Sequence, residues 1–206
     1  FAANTVRHYH RLLASQIETE MPAPHCTYPI EVFAALYRRV QELCIGASLL
    51  DAGCSSGFLP LIMAERLPAL AKVVGVDIRA GPFPVARAIA AERHLANVEF
   101  IQADLLSHEM VSFAPFDTVT LLHVLEHFSE TDMYRVLANL LRITARRLVI
   151  AVPYEEGEPE AAYGHQQLFT REKLEAAGRW CIAQWGSGQM QYEDCAGGLI
   201  WLDRIS

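Results

Sequence analysis

The sequence predicts an α/β fold: a doubly wound, mostly parallel seven-stranded sheet with a C-terminal antiparallel hairpin and an N-terminal helical cap. Three observations predict it. From Ser48 onward, short continuous apolar runs alternate with stretches of helical spacing, as parallel strands covered on both faces require. The first of these runs ends in an acid and breaks into a glycine-bearing loop, Asp51-Ala52-Gly53-Cys54-Ser55-Ser56-Gly57. Near the C-terminus two apolar runs follow one another with only a glycine-bearing loop between them, which reads as a hairpin.

The elements follow in order. Two N-terminal stretches have helical spacing, one around Thr5 to Thr19 and one in which Ile30, Phe33, Ala34, Tyr37, Val40 and Leu43 recur at three and four. Met21-Pro22-Ala23-Pro24-His25-Cys26 joins them and cannot be regular helix. Five parallel strands are expected at Leu49–Leu50, Val73–Ile78, Val98–Ile101, Thr118–Leu122 and Leu148–Val152. Helices are expected near Phe58–Leu67, Pro84–His94, Thr131–Thr144 and Arg171–Ala177, the last with Thr170 as N-cap and Gly178 just past its end. Trp180–Trp185 and Leu199–Leu202 then read as the hairpin strands. Residues 1–206 read as a single domain, with a cap over 1–46 and the core over 47–206.

At 206 residues and 52% hydrophobic, the chain can bury one sizeable core. A net charge of −7 argues against a broad phosphate-binding face, so nucleic acid is not an expected partner. Arg142, Arg146 and Arg147 form the densest cationic cluster and read as the solvated end of a helix. Cys26, Cys44, Cys54, Cys181 and Cys195 include no CxxC pair, so neither a disulfide framework nor a zinc knuckle is suggested, and reduced thiols in a cytoplasm fit. No apolar stretch approaches the roughly 20 residues that span a bilayer, and Phe1 to His10 are not a signal peptide. The chain opens on Phe1 rather than Met and reads as trimmed at its N-terminus.

The loop after the first strand is of the kind that binds a nucleoside. The strand delivers Asp51 to the sheet's C-terminal edge, Gly53 turns the backbone tightly, and Gly57 lets the next helix start close to a ligand. A dinucleotide fingerprint wants glycine at the first, third and sixth positions. Counted from Gly53, the third is Ser55 and the sixth Phe58, so the NAD reading fails. The loop resembles instead motif I of the class I S-adenosylmethionine-dependent methyltransferases, usually DxGxGxG, with Ser55 in place of the middle glycine. The resemblance runs from about Ser48 to Ser206. It implies a Rossmann-like fold and S-adenosylmethionine as cofactor, its amino-acid half held by Asp51, Gly53, Cys54, Ser55 and Gly57. The second strand ends in Asp77-Ile78, 26 residues after Asp51, where the family places its ribose-binding acid. Asp104-Leu105 follows the third strand, where the family often holds the adenine amino group. His123, after the fourth strand, would lie beside the sulfonium, and Asp117 at that strand's other end reads as structural.

His123-Val124-Leu125-Glu126-His127 follows the fourth strand, and His165 returns in Gly164-His165-Gln166-Gln167-Leu168-Phe169-Thr170. Oxygen methylation needs a proton removed, for which His127, His123 or His165 is the candidate base. The pattern also resembles the small-RNA 3′-terminal 2′-O-methyltransferases, which carry Glu-x-x-Glu-His and a later His and bind a metal. Here His123 replaces the first glutamate, so a metal, though not expected, would fall to His123, Glu126, His127 and His165. Tyr154 reads either as a substrate contact or as packing, and Glu155, Glu156, Glu158 and Glu160 make an acidic loop. The function expected is methyl transfer to a small-molecule acceptor, with a homodimer as the candidate assembly. An RNA terminal 2′-O-methyltransferase and a catalytically inactive cofactor-binding partner protein are the alternatives.

Overall fold

The computed structural model describes residues 2–18, 29–159 and 161–205. The proline-bearing Met21–Cys26 stretch, with Cys26 itself, lies outside the described residues, as does Glu160. Two helices, α1 (Ala2–Glu18) and α2 (Pro29–Leu43), precede the sheet. The core then runs β1 (Ser48–Ala52), α3 (Phe58–Arg66), β2 (Lys72–Asp77), α4 (Phe83–Glu92), β3 (Val98–Gln102), β4 (Phe116–Leu122), α5 (Glu130–Ile143), β5 (Thr144–Val152), α6 (Arg171–Trp185), β6 (Gly188–Asp194) and β7 (Gly198–Arg204).

The seven strands lie in the order β3-β2-β1-β4-β5-β7-β6. All neighbours from β3 to β5 pair in parallel, whereas β7 is antiparallel to both β5 and β6. The strand order reverses between β1 and β4, which opens a crevice beyond their C-terminal ends, where ligands of open α/β sheets bind. Successive side chains along a strand point to opposite faces and so feed different cores. Leu49, Val73, Val149 and Ala151 pack with α1, α2 and α3, while Leu50, Val74, Leu148 and Ile150 pack with α5 and α6. No helix among the described residues is long and apolar enough to cross a membrane.

Local chemistry sets the element ends. Ser129 and Thr170 cap α5 and α6 by accepting from the N–H groups of Asp132 and Lys173. Asp117 accepts from the N–H groups of Ala47 and Ser48 and from the Ser48 hydroxyl, so it fastens the entry of β1, and these bonds hold its carboxyl below the usual range.

Two expectations are corrected here. The last helix does not stop at Ala177: α6 runs to Trp185, so Trp180–Trp185 is helical and the first hairpin strand is Gly188–Asp194. Gly178 is a contact glycine, because a Cβ there would lie 2.5 Å from Met190 Sδ and 2.9 Å from Ile200 Cδ1 where α6 presses on the hairpin. The C-cap is Gly186, at φ 78°. The arginine cluster is also not simply a helix end. Arg147 lies in β5, binds both carboxylate oxygens of Asp203 on β7 and donates to the Leu43 carbonyl of α2.

Candidate active site

The loop from Gly53 to Gly57 crosses the C-terminal end of β1. Its positions 53, 55 and 57 take φ of 79°, 50° and 77°, so Ser55 adopts the left-handed conformation that the glycine of the motif supplies without strain. The loop is tied to β2 by the N–H groups of Gly53 and Cys54, both donating to the Val76 carbonyl at 2.8 and 2.9 Å. Gly53 and Gly57 also have no room for a side chain: a Cβ would lie 2.5 Å from Val124 at the first and 2.5 Å from Phe100 at the second. Cys54 turns its side chain into the small core beneath α4, so only its backbone faces the loop.

Two buried carboxylates stand at the strand ends. Asp51 accepts from the Thr120 hydroxyl of β4 at 2.7 Å, and burial pushes its pKa up to about 7 against that bond, with Asp77 adding to the rise. Asp77 is 7% exposed and accepts from the Ser55 N–H through one oxygen and the Arg79 N–H through the other, each at 2.8 Å. A carboxylate offers about four acceptor positions, so Asp77 keeps capacity for further donors. Ile78, 60% exposed, forms the lip beside it. Asp104 is exposed and accepts from the Leu106 N–H with one oxygen, leaving the other for a ligand. Leu105 sends its side chain into the core under α5, so it offers a site only its backbone.

Beyond β4, His123 takes φ 53° and donates its backbone N–H to the Ala151 carbonyl of β5. Its ring bonds the backbone of Ala196 in a way that favours the charged form, which makes the carbonyl the acceptor, while its Nε2 has no partner. Burial nevertheless lowers its pKa to about 4, so the ring is neutral near pH 7. Glu126, 2% exposed, has its pKa raised to about 8 by burial. The chain after β5 is stitched to Leu125–His127: the N–H of Gln166 donates to the Glu126 carbonyl, and Gln167 Nε2 donates to the carbonyls of Leu125 and Phe128. This brings His165 to His127, with their rings 4.8 Å apart. Ligand atoms of Glu126, His127 and His165 lie within 4.8 Å of one another, and His123 is not in that set. His165 Nδ1 also lies 2.6 Å from Glu155 Oε1, at ion-pair distance but without the alignment of a hydrogen bond.

The cap contributes residues that the sequence reading placed only as helix faces. Phe33 of α2 packs its ring 5.2 Å from that of His123. Tyr37, one turn on, is close enough to Asp51 and Cys54 to feel them, and its hydroxyl is held protonated, chiefly by burial. Their spacing on α2 was legible, but the face that would meet the crevice was not. Tyr154 hydrogen-bonds Tyr192 on β6 at 3.0 Å and packs over Gly198, so it both closes the end of β5 and stays partly exposed.

A glycine loop at the strand-order reversal and acids at the ends of β1 and β2 define an α/β domain built to hold a nucleoside. Residues 49–147 match the model of a methyltransferase domain family. Through this segment the chain is similar to the class I S-adenosylmethionine-dependent methyltransferases. The chain is 35% identical over 96 residues to a ubiquinone biosynthesis O-methyltransferase of Serratia proteamaculans, covering 46% of this chain and 38% of that protein. It is 28% identical over 146 residues to the 2-phytyl-1,4-naphtoquinone methyltransferase of Thermosynechococcus vestitus, covering 70% and 57%. The chain thus spans between about two fifths and three fifths of these relatives' length. The fold matches magnesium protoporphyrin IX methyltransferase from Synechocystis PCC 6803 with bound SAH at a TM-score of 0.64 and 17% identity, covering 98% of this chain and 99% of that one. It also matches the small RNA methyltransferase HEN1 at a TM-score of 0.74 and 16% identity, covering 91% and 27%.

Proposed function

We propose that this chain transfers the methyl group of S-adenosylmethionine to a small-molecule acceptor, working as one domain over residues 1–206 in the cytoplasm. The observation that carries this reading is the pair of buried carboxylates, Asp51 and Asp77, on neighbouring strand ends beneath a loop with three positive-φ residues. Such a pair calls for a cation and hydrogen-bond donors, and S-adenosylmethionine has an ammonium for Asp51 and a ribose diol for Asp77. A pyrophosphate would be repelled by both.

When bound, the cofactor supplies an electrophilic methyl carbon on a sulfonium. The protein's part is to hold the acceptor in line with that carbon and exclude water, and positioning supplies much of the rate of such displacements. Phe33 and Tyr37 give the crevice an aromatic wall, which supports a ring-bearing acceptor such as a quinol; the named quinone-pathway relatives support the same class. His123 is the base we favour, because its ring is neutral and its Nε2 has no other partner. His127 and His165 stand one layer further along the loops.

A second reading is metal-assisted methylation of an RNA terminus, favoured by the convergence of Glu126, His127 and His165. One neutral glutamic acid and two imidazoles suit a borderline divalent ion once the acid ionises. The net charge of −7 weighs against a polyphosphate substrate.

Calorimetric titration of S-adenosylmethionine and S-adenosylhomocysteine, with NADH as control and with manganese or zinc added, tests both readings. Binding of both sulfur ligands with no response to NADH is expected, followed by turnover on phenolic acceptors. Absence of sulfur-ligand binding would sink the proposal. Metal uptake that disappears in His127→Ala and His165→Ala would favour the second reading.

A further inference from the structure

We propose that the cleft between α1 and α4 is a binding site for a small oxyanion of phosphate or carboxylate chemistry. The cleft is lined by Arg7, His10, Arg11, Ile89, Glu92 and Arg93, none of them a residue assigned to methyl transfer. Its floor is His10, which is 1% exposed, with Phe58 of α3 packed 6.4 Å from its ring. The Nε2 of His10 has no hydrogen-bond partner, although a buried polar nitrogen left unpaired is costly and rare in folded proteins.

The charges around it are unbalanced. Arg7 and Arg11 face His10 from its own helix, Glu92 and Arg93 from α4, and Glu65 from α3. Arg7 is paired with Glu92, and Arg93 with Glu65, which leaves Arg11 without a carboxylate among the described residues. Three cations against two anions leave one positive charge beside a neutral imidazole, whose pKa is lowered to about 4, first by burial and then by Arg93. A lone water would pair Nε2 but would leave that charge uncompensated. An oxyanion meets both needs, because it accepts from the guanidinium of Arg11 and from a protonated Nε2. Its arrival therefore favours the imidazolium, so binding takes up a proton and strengthens as pH falls.

The test follows the His10 ring carbon by NMR while inorganic phosphate, acetate or sodium chloride is titrated into the whole chain. A saturable shift of the His10 signal with phosphate or acetate is expected, together with a rise in its titration midpoint of at least about one unit. Response to phosphate alone identifies a phosphate site and response to acetate alone a carboxylate site. Arg11→Ala, at an exposed position, should weaken the affinity at least about tenfold, and His10→Phe should abolish it. Equal responses to chloride, no saturable shift at millimolar anion, or an unchanged affinity in Arg11→Ala would overturn the proposal. Retained S-adenosylmethionine binding and an unchanged melting profile in Arg11→Ala separate loss of the anion site from loss of the fold.

Discussion

Thr120 donates its hydroxyl hydrogen to the carboxylate of Asp51 at 2.7 Å, across the directly paired positions of β4 and β1. The acid is nonetheless pushed up to about 7, because burial outweighs that one bond. The ammonium of the proposed cofactor favours the ionised acid, so affinity for S-adenosylmethionine should rise by about tenfold between pH 6 and pH 8, with proton release on binding at the lower value. Calorimetry in buffers of different ionisation enthalpy measures both. Thr120→Val removes the bond that supports the carboxylate and should move the profile to higher pH. A flat profile would mean that Asp51 does not meet the ammonium.

The same acid makes a separate prediction about stability. Asp51 holds its proton up to about pH 7 in the folded chain, against an ordinary value of 3.8. Between those values the folded state carries more protons than the unfolded one, so this group's contribution declines as pH rises from about 4 to about 7. Asp51→Asn has no such proton to lose. Its stability relative to the parent should therefore increase from pH 5 to pH 8 in urea titrations, while cofactor binding is lost.

Ser55 and Gly57 share a left-handed backbone but not the same surroundings. Ser55 is exposed, so Ser55→Gly relieves strain of about 1–2 kcal/mol while adding about 0.4–1 kcal/mol of unfolded-state entropy, for a net gain of up to about 1.6 kcal/mol. Gly57→Ala incurs the same strain and brings a Cβ to 2.5 Å from Phe100, so a loss of about 2–5 kcal/mol is expected, together with cofactor binding. Denaturant unfolding of the two variants should give opposite signs.

Asp77 and Asp104 should differ in weight. Removing a buried charged acceptor costs about 1.5–3 kcal/mol, whereas an exposed carboxylate, screened by water, contributes about 0.5–1.5 kcal/mol per bond. Asp77→Ala should then weaken S-adenosylhomocysteine about 10- to 150-fold, and more if the N–H groups of Ser55 and Arg79 are left unpaired. Asp104→Ala should weaken it only about 2- to 10-fold, measured in the same titration.

The alternation of apolar runs made the strand succession legible, and the acid-glycine spacing of Asp51 to Gly57 located the loop, because both depend on local sequence. What failed depended on packing between distant segments. Gly178 has the form of a helix stop, and only the approach of Met190 and Ile200 shows why a glycine continues the helix there. Phe33 and Tyr37 were legible as one face of a helix, but no local signal says that this face meets His123 and Asp51. The His127 and His165 juxtaposition was suggested by motif, yet it depends on Gln166 and Gln167 bonding the Leu125–Phe128 backbone, bonds that no pattern announces.

Arg147 gives the same lesson a measurable form. Its guanidinium binds Asp203 at 2.7 and 2.9 Å through two nitrogens and reaches the Leu43 carbonyl at 2.7 Å, so one side chain joins β5, β7 and α2. The pair is half-buried, where a two-point contact keeps more of its strength than an open surface pair. Lysine keeps the charge but has a single nitrogen and cannot span both oxygens and the carbonyl. Arg147→Lys should therefore cost about 1 kcal/mol and Arg147→Ala about 1–3 kcal/mol in urea unfolding. The Lys variant should lose more of its stability than the parent on adding salt, because a one-point pair is more open to screening. An unchanged midpoint in both variants would return Arg147 to the solvated cluster that the sequence suggests.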